Sequence, residues 1–260
     1  MAPSAWTGPF DIFGDVHGCA GELRALLAKL GWERHDPEPH AEPPRWGREC
    51  WRHPLGRQAI FLGDLVDRGP AVLDTLGLVH NMKAASVALS VVGNHDDKLM
   101  RWLNGKPVEV KNGLEQSVAE MKALPADQRA AIAAFLGRLA SHYVLDGGRL
   151  VVAHAGLREE MHGREGGSGV RQFCLYGETT GETDEFGLPV RLDWAAKYRG
   201  KAMVVYGHTP VREPAWRNNT VNIDTGAVFG GKLTALRYPE REFVSVPAER
   251  EYVASRRPPA

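Results

Sequence analysis

Six short, continuous apolar runs restrict the fold of this 260-residue chain more than any other feature. They are Phe10–Phe13, Ala59–Leu62, Val87–Val92, Leu150–Ala153, Ala202–Tyr206 and Thr220–Ile223. Their length and their content of Val, Ile and Phe predict β-strands, and the continuity of the runs is typical of strands buried on both faces. Helical spacing between several of these runs adds helices, so the sequence predicts an α/β fold.

Two helices are predicted after the first two strands, and a hairpin is predicted near the C-terminus. Four leucines between Leu23 and Leu30 recur at i, i+3, i+4 and i+7, and Gly31 stands where a helix C-cap belongs. Pro70 can open the second helix, because proline is tolerated at the first helical position. The runs 232–238 and 242–246 form the predicted hairpin, which completes a sheet.

Four stretches interrupt this pattern. The segment 35–54 is rich in proline and predicts a surface loop or an irregular hairpin, whereas 156–198 is rich in glycine and charge. We expect a single domain over 1–260 with its core at about 9–248, since this length suits one large domain. A mainly helical insertion is expected at about 98–142, and a frayed polar tail at 249–260.

Charge, hydropathy and cysteine content exclude several functional classes. Lys+Arg and Asp+Glu are both 32, so the zero net charge argues against stable nucleic-acid binding. No apolar run approaches the roughly 20 residues that span a bilayer, and the N-terminus lacks the pattern of a secretory signal. Three widely spaced cysteines, Cys19, Cys50 and Cys174, are typical of reduced thiols, so we predict a cytoplasmic protein without membrane partners.

Each predicted strand ends in a short polar motif. In chain order these are GDVHG (14–18), GDLVDRG (63–69), GNHD (93–96), HAG (154–156), GHT (207–209) and DTG (224–226). Functional sites of open α/β sheets lie at the carboxyl ends of the strands. If the strands pair in parallel, the polar side chains of these motifs converge there.

The side chains of these motifs predict a site for two metal ions. Asp, His and Asn without Cys suit divalent ions such as Mn, Fe or Zn. Asp15 and His17 are two residues apart and point the same way on an extended chain, so they can share one ion. Asp64 can bridge two ions, and the second set is completed by Asn94, His154 and His208. Ions about 3.5–4 Å apart can clamp a phosphoryl group.

Three further residues of the motifs suit the chemistry of phosphate cleavage. His95 follows Asn94 and faces elsewhere, where it can protonate a leaving oxygen. Asp67 can orient that histidine and favour its protonated form. The planar guanidinium of Arg68 can bind phosphate oxygens, or it can simply form a salt bridge with Asp67. Asp224 is either an additional active-site residue or an ordinary turn residue.

Residues outside the motifs have simpler interpretations. The remaining histidines are assigned to the surface or to packing: His35, His40, His53, His80, His142 and His162. Cys19 is assigned as a small residue at a helix start. Four apolar side chains of the insertion either form a wall that stacks a nucleobase beside the metals or pack the insertion onto the core. They are Leu99, Met100, Trp102 and Leu103.

The ordered motifs resemble those of the calcineurin-like metallophosphoesterases, specifically the phosphoprotein phosphatase branch, from about residue 10 to 246. The longer segments GNHDDKLMRWLNGKPVEVKNGLE and NIDTGAVFGGKLTALRYPE resemble the bacterial asymmetrical bis(5′-nucleosyl)-tetraphosphatases. They also resemble the phosphatase module of bacterial polynucleotide kinase-phosphatases, but this chain has no room for the flanking modules. Asp96 stands where many eukaryotic relatives have Glu, a change that we expect to leave the metal site intact.

The resemblance implies a fold and a set of roles. The fold is a sandwich of two mixed β-sheets flanked by helices. The first ion is held by Asp15, His17 and Asp64, and the second by Asp64, Asn94, His154 and His208. His95 is the general acid, Asp67 orients it, and Arg68 binds the phosphate. Two divalent ions per chain are implied, with Mn²⁺ favoured and Fe, Zn, Ni or Co as alternatives. Arg171 and Arg191 are the candidates for a second phosphate-binding arginine.

The predicted function is hydrolysis of a phosphorylated small molecule, most consistent with a dinucleoside polyphosphate that is cut asymmetrically when metal-bound hydroxide attacks phosphorus in line. Three alternatives stay open. The protein can be a serine/threonine or tyrosine phosphoprotein phosphatase, or a polynucleotide-end phosphatase and 2′,3′-cyclic phosphodiesterase. The alternative of another class is a catalytically silent, metal-dependent binding protein.

Overall fold

The computed structural model describes residues 6–35, 46, 49–164 and 168–256. The helices are α1 (Ala20–Lys29), α2 (Val72–Ala84), α3 (Asn94–Leu103), α4 (Leu114–Lys122), α5 (Ala126–Gly137), α6 (Ser168–Tyr176) and α7 (Trp194–Lys197). The strands are β1 (Phe10–Phe13), β2 (Glu33–His35), β3 (Cys50–Arg52), β4 (Gln58–Phe61), β5 (Ala88–Ser90), β6 (His142–Leu145), β7 (Leu150–Ala153), β8 (Thr179–Thr183), β9 (Pro189–Arg191), β10 (Met203–Tyr206), β11 (Trp216–Arg217), β12 (Thr220–Asn222), β13 (Lys232–Tyr238) and β14 (Glu242–Pro247). Among these residues no helix combines the length and the apolar character needed to span a bilayer.

Two five-stranded mixed sheets form the centre of the molecule. The first has the order β14-β13-β1-β4-β5, and the second has the order β11-β12-β10-β7-β6. In the first sheet β1, β4 and β5 are parallel, and in the second β7, β10 and β12 are parallel. The remaining strands in both sheets pair antiparallel. The carboxyl ends of the parallel strands therefore form one edge in each sheet.

The alternation of side chains along β1 shows how the layers are built. Phe10 and Ile12 lie in the apolar cluster between the two sheets, whereas Phe13 lies in the cluster under the helices that cover the first sheet. The outer face of the second sheet packs against α6 and α7 in a third cluster, which contains Phe173 and Trp194. Because successive side chains of a strand point to opposite faces, apolar residues on both faces bury a strand completely. The predicted sandwich of two mixed sheets flanked by helices is confirmed.

One buried ion pair fixes the start of the first sheet. Asp11, which points to the helical side of β1, accepts hydrogen bonds from Nε of Arg57 and from Nε1 of Trp32, each at 2.8 Å. Arg57 also contacts Glu240 at 2.7 Å. A buried carboxylate is tolerated only when it is paired in this way.

Several predicted elements occur with small shifts, and others are additional. The six predicted strands and the C-terminal hairpin correspond to β1, β4, β5, β7, β10, β12, β13 and β14. The segment 35–54 is bounded by a hairpin of β2 and β3, but residues 36–45, including His40, lie outside the described residues. Several elements have no counterpart among the predicted ones: the β8–β9 hairpin, the edge strands β6 and β11, and the helices α6 and α7.

The predicted insertion and the C-terminal tail both contact the core of the molecule. Helices α3, α4 and α5 fill the predicted insertion, and the side chains 99, 100, 102 and 103 pack on the main apolar cluster, which supports the packing alternative. The tail is ordered up to residue 256: the backbone N–H of Glu249 and the hydroxyl of Tyr252 both donate to Glu22 on α1. These two hydrogen bonds connect the described part of the tail to a buried carboxylate on α1.

Candidate active site

The predicted polar motifs of both sheets meet at one place. The loops after β1, β4, β5, β7 and β10 converge because their strands run in parallel and the two sheets pack face to face. The backbone N–H of His208 donates to Asp15 at 3.1 Å, which joins the second sheet to the first. All six predicted metal ligands lie in this cluster, and all but Asn94 and His208 are buried.

The backbone at the site is strained. His17, Asp64, Asp67, Arg68 and His208 all have positive φ, between 45° and 76°. Residues other than glycine adopt this region rarely, at a cost of about 1–3 kcal/mol each, and such residues concentrate at functional sites. Five of the ten non-glycine residues with positive φ in the described part of the chain therefore lie in the predicted motifs.

Two glycines of the motifs are required by close approach. A Cβ at Gly93 would collide with the carboxylate of Asp64, and a Cβ at Gly207 would collide with the carboxylate of Asp15. Glycine leaves room for these carboxylates beside the backbone. The first residue of the GNHD and GHT motifs therefore shapes the site without contributing a side chain.

The second ligand group, which contains His154 and His208 and belongs to the second predicted ion, lies between the two sheets. Nε2 of His154 is 2.9 Å from Nδ1 of His208, 3.0 Å from Oδ1 of Asn94 and 3.5 Å from Oδ2 of Asp64. Nδ1 of His154 is 2.9 Å from the carbonyl of Leu62, which can only accept, so Nδ1 carries the proton and Nε2 the lone pair. A carbonyl that fixes the tautomer in this way is typical of a metal-binding histidine.

The first ligand group, which contains His17 and belongs to the first predicted ion, lies beside it and shares Asp64. Nε2 of His17 is 3.4 Å from Oδ2 of Asp64, and Nδ1 of His17 is 2.8 Å from the carbonyl of Val66. The same tautomer argument leaves the lone pair of His17 on Nε2. Ligand atoms of His17, Asp64 and His95 lie within 4.8 Å of one another, as do those of Asp64, His154 and His208.

Electrostatics at these groups favour a cation. Burial, followed by the charges of Asp224 and Asp64, raises the pKa of Asp15 well above its usual range, and burial raises the pKa of Asp64 to about 7. Burial also lowers the pKa of His17 and His208, which keeps their rings neutral. Oδ1 of Asp15 is buried without a hydrogen-bond partner among the described residues. Crowded carboxylates, an orphaned oxygen and neutral imidazole nitrogens fit divalent metal ions.

A chain of hydrogen bonds leads away from His95. Nδ1 of His95 is 2.6 Å from Oδ2 of Asp67, which is 0% exposed. Oδ1 of Asp67 accepts from the hydroxyl of Ser117 on α4 at 2.5 Å. Burial and the positive charges of Arg68 and Lys98 lower the pKa of His95, and burial raises that of Asp67 to about 6. The carboxylate of Asp67, 2.6 Å from Nδ1, favours a protonated His95 and so opposes the lowering of its pKa. Because this hydrogen bond uses Nδ1, Nε2 of His95 is left to interact with another group.

Arg68 is held at the edge of the site from two sides. Its backbone N–H donates to the carbonyl of Gly113, just before α4, and its guanidinium lies 5.1 Å from the ring centroid of Phe229. Nη1 of Arg68 is 2.7 Å from Nε2 of His17. Because a metal ion needs the same lone pair of His17, ion binding and this hydrogen bond exclude each other. Arg68 is not paired with Asp67 in the part of the chain that the structure describes.

The structure distinguishes the two candidates for a second phosphate-binding arginine. Arg171 pairs with Asp97 at 2.7 Å. Arg191 is half-buried on β9 and lies close enough to the ligand groups for its positive charge to oppose the rise in the pKa of Asp64 and to add to the lowering of the pKa of His208. Asp224 is buried, accepts from the backbone N–H of Gly226 at 3.0 Å, and lies close enough to Asp15 to raise its pKa.

Sequence reasoning missed the roles of Asp96 and Ser117. The two carboxylate oxygens of Asp96 accept from the backbone N–H groups of Leu65 and Gly93, at 3.0 and 2.9 Å, and so tie the second and third motifs together. The capping position of Asp96, three residues after Gly93, was a local signal for part of this role. No local signal pointed to Ser117, which is 50 residues from Asp67.

The family model for calcineurin-like phosphoesterases matches residues 8–212, and the chain belongs to this family of phosphate-bond hydrolases. Members of the family are dinuclear metal enzymes, in agreement with the two ligand groups of this site. The predicted resemblance is confirmed.

Individual relatives span nearly the whole chain. The asymmetrical bis(5′-nucleosyl)-tetraphosphatase PrpE of Anoxybacillus flavithermus is 46% identical over 251 residues, which cover 95% of this chain and 97% of that protein. A crystal structure of a protein provisionally described as a diadenosine tetraphosphatase matches with a TM-score of 0.64 and 26% identity, over 93% of this chain and 94% of the other. A serine/threonine phosphatase of Saccharomyces cerevisiae shares the fold, with a TM-score of 0.59 and 14% identity over 95% and 81% of the two chains.

Proposed function

We propose that this phosphoesterase hydrolyses dinucleoside polyphosphates asymmetrically, releasing a nucleoside monophosphate from a dinucleoside tetraphosphate. The observation that carries the proposal is the 46% identity to an asymmetrical tetraphosphatase along almost the full length of both chains. Protein phosphatases are similar to this chain only at the level of the fold. The proposed place of action is the cytoplasm, and the buried cysteines 19, 50 and 174, all within the described residues, support it because they form no disulfide.

Two divalent ions would be held by the two ligand groups. Asp15, His17 and Asp64 are the proposed ligands of the first ion, and Asp64, Asn94, His154 and His208 those of the second. When bound, such a pair of ions neutralises phosphoryl charge and lowers the pKa of water. We propose Mn²⁺ as the native metal, because oxygen ligands outnumber nitrogen ligands in the first group and no thiolate is present.

The proton for the leaving oxygen comes from His95 in this proposal. Asp67 accepts from Nδ1 of His95 at 2.6 Å and so directs Nε2 toward the site. Ser117 holds the second oxygen of Asp67, which leaves that carboxylate a single orientation. A histidine fixed by a buried carboxylate can act as a general acid on a leaving oxygen without moving its ring.

Two arginines are proposed to bind the phosphate chain. Arg68 lies beside the first ligand group and Arg191 beside the second, so that together they can hold a polyphosphate across both ions. Planar guanidinium groups bind phosphate oxygens in pairs. Asp224, buried next to Asp15, is proposed as a positioning residue for that ligand and not as a group that contacts substrate.

The products of purified, metal-reconstituted protein test this function. Diadenosine tetraphosphate should give ATP and AMP in equal amounts, resolved by anion-exchange chromatography. Phosphopeptides and oligonucleotides with 3′-phosphate or cyclic ends should react at rates lower by at least about tenfold in kcat/KM. Two molecules of ADP, or a preference for phosphopeptide, would contradict the proposal.

A further inference from the structure

A groove of about 250 Å³ opens beside the second ligand group. One wall is helix α6 and the other is the β8–β9 hairpin, all five residues of whose first strand are exposed. Its lining includes Gln172, Tyr176, Thr179, Glu182, Thr183 and Arg191. Pockets for drug-sized ligands have volumes of about 300–1,000 Å³, so this groove has room for one nucleoside and not for two.

The groove continues directly into the active site. The ring of Tyr176 lies edge-on to the ring of His208, with 6.3 Å between centroids. Nη1 of Arg191 donates to the carbonyl of Tyr176 at 2.6 Å, which fastens the hairpin to α6. Arg191 also acts electrostatically on Asp64 and His208. The boundary between groove and metal site is therefore formed by one aromatic ring and one guanidinium.

We propose that this groove binds one nucleoside of the substrate, a step that rests on the proposed function. Tyr176 offers an aromatic face on which a base can stack, and aromatic stacking accepts every base because each has a π-face. Gln172, Thr179 and Thr183 offer donors and acceptors at the rim for the base edge or the ribose. Arg191 then holds the first phosphate where the nucleoside leaves the groove.

Occupation of the groove makes a symmetric substrate asymmetric. Both ends of a dinucleoside tetraphosphate are chemically identical, so an asymmetric cut requires that the protein treat them differently. A nucleoside fixed beside the second ligand group places the phosphate nearest to it at the metal site, while the opposite end extends past Arg68. Water adds to the phosphorus of that nearest phosphate, and the bond from this phosphorus to the oxygen that bridges to the next phosphate breaks. The nucleoside monophosphate is then released from the groove, and the nucleoside triphosphate leaves from the opposite end.

Competitive inhibition tests the groove independently of dinucleotide turnover. Hydrolysis of 4-nitrophenyl phosphate by the metal-reconstituted protein is measured with AMP or inorganic phosphate as inhibitor. AMP should bind at least about tenfold more tightly than phosphate, since only AMP can occupy the groove. Tyr176→Leu should raise the inhibition constant of AMP about fivefold or more, as expected for lost stacking. The same variant should change the inhibition constant of phosphate less than about twofold.

Matched variants separate stacking from folding. Tyr176→Phe keeps the ring and should keep the advantage of AMP, and Phe186→Leu changes an exposed aromatic residue of the same hairpin outside the groove. Gln172→Ala changes an exposed position of α6, so it leaves the packing of Tyr176 unchanged. This variant should weaken the binding of AMP but not that of phosphate.

The outcomes distinguish this inference from the proposed function. The groove proposal is wrong if AMP binds no more tightly than phosphate, or if Tyr176→Leu weakens the binding of both inhibitors equally. This conclusion holds even if diadenosine tetraphosphate is cut to ATP and AMP. A clear advantage of AMP that depends on Tyr176 supports the groove, even if the dinucleotide is not hydrolysed and the proposed function fails.

Discussion

Replacement of His95 by Asn tests the proposed general acid against two other roles. The change keeps polarity and approximate size but removes the ring nitrogen that would deliver a proton. An alkyl phosphate leaves as a strongly basic alkoxide and needs that proton, whereas a nitrophenyl phosphate leaves as a stabilised phenolate and hardly needs it. We therefore expect His95→Asn to slow the alkyl ester far more than the aryl ester.

The geometry sets the size of the expected loss. General-acid catalysis contributes about 10²–10⁴ in rate, which corresponds to about 2.7–5.4 kcal/mol of barrier at 1.36 kcal/mol per factor of ten. His95 is held by a 2.6 Å hydrogen bond to a carboxylate that is 0% exposed, so little is lost to misorientation in the native protein. We expect a loss of about 10³–10⁴ in kcat for the alkyl ester and of less than about tenfold for the aryl ester.

The assay combines both rates with metal content and melting temperature. His53→Asn, which changes a histidine outside the site, is the matched control and should leave both rates unchanged. Metal content of His95→Asn should stay near that of the native protein, because Asn94 and not His95 is the proposed ligand.

Two results would refute the reasoning. Equal losses of kcat for both esters, together with a reduced metal content, would show that His95 is a metal ligand. This outcome needs testing because a ring nitrogen of His95 lies within 4.8 Å of ligand atoms of His17 and Asp64. A lower melting temperature with equal, small rate losses would make it a packing residue.

Three further changes test other parts of the molecule. Removal of divalent metal by a strong chelator should abolish turnover, and Mn²⁺ should restore it; full activity of verified metal-free protein would contradict the metal requirement. Asp64→Asn should lower kcat more than about 100-fold, because Asp64 belongs to both ligand groups. Trp102→Ala should lower the free energy of unfolding by about 1–3 kcal/mol and slow dinucleotide and aryl phosphate alike, since its side chain packs on the core; a KM increase limited to the dinucleotide would instead indicate a base-stacking wall. Arg57→Met should cost about 3–5 kcal/mol in denaturant unfolding because it removes the guanidinium that is hydrogen-bonded to the buried Asp11. Among the described residues, that carboxylate then keeps only Trp32 and the more distant guanidinium of Arg237, at 3.7 Å. The control Arg24→Met removes a more exposed ion pair and should cost no more than about 1 kcal/mol, and equal losses would refute the role of burial.

Much of the active site was predictable because its residues are adjacent in sequence to elements that local pattern reveals. A continuous apolar run predicts a buried strand, and parallel pairing brings the carboxyl ends of such strands together. The motifs after β1, β4, β5, β7 and β10 therefore fixed the candidates for metal ligation before any contact was known. Their glycines were also visible, although the collision that requires Gly93 was not.

Exposed and irregular elements were missed for a physical reason. Strand β8 is exposed along its whole length, so it has no apolar alternation to reveal it. Its partner β9 carries Arg191, and only the hairpin brings that arginine to the ligand groups while Arg171 pairs with Asp97. The proposed nucleoside groove depends on the same hairpin.

The sequence by itself determined the order of the strands along the chain, the α/β class and the identity of the residues that gather at the strand ends, whereas the pair of packed sheets was implied only by the resemblance to a family. Only the tertiary structure decided what holds them: Ser117 reaches Asp67 across 50 residues, and His208 reaches Asp15 across 193. Contacts of this kind have no local spacing, because they arise where two separately formed layers pack against each other, and side-chain direction at the joint depends on both layers at once.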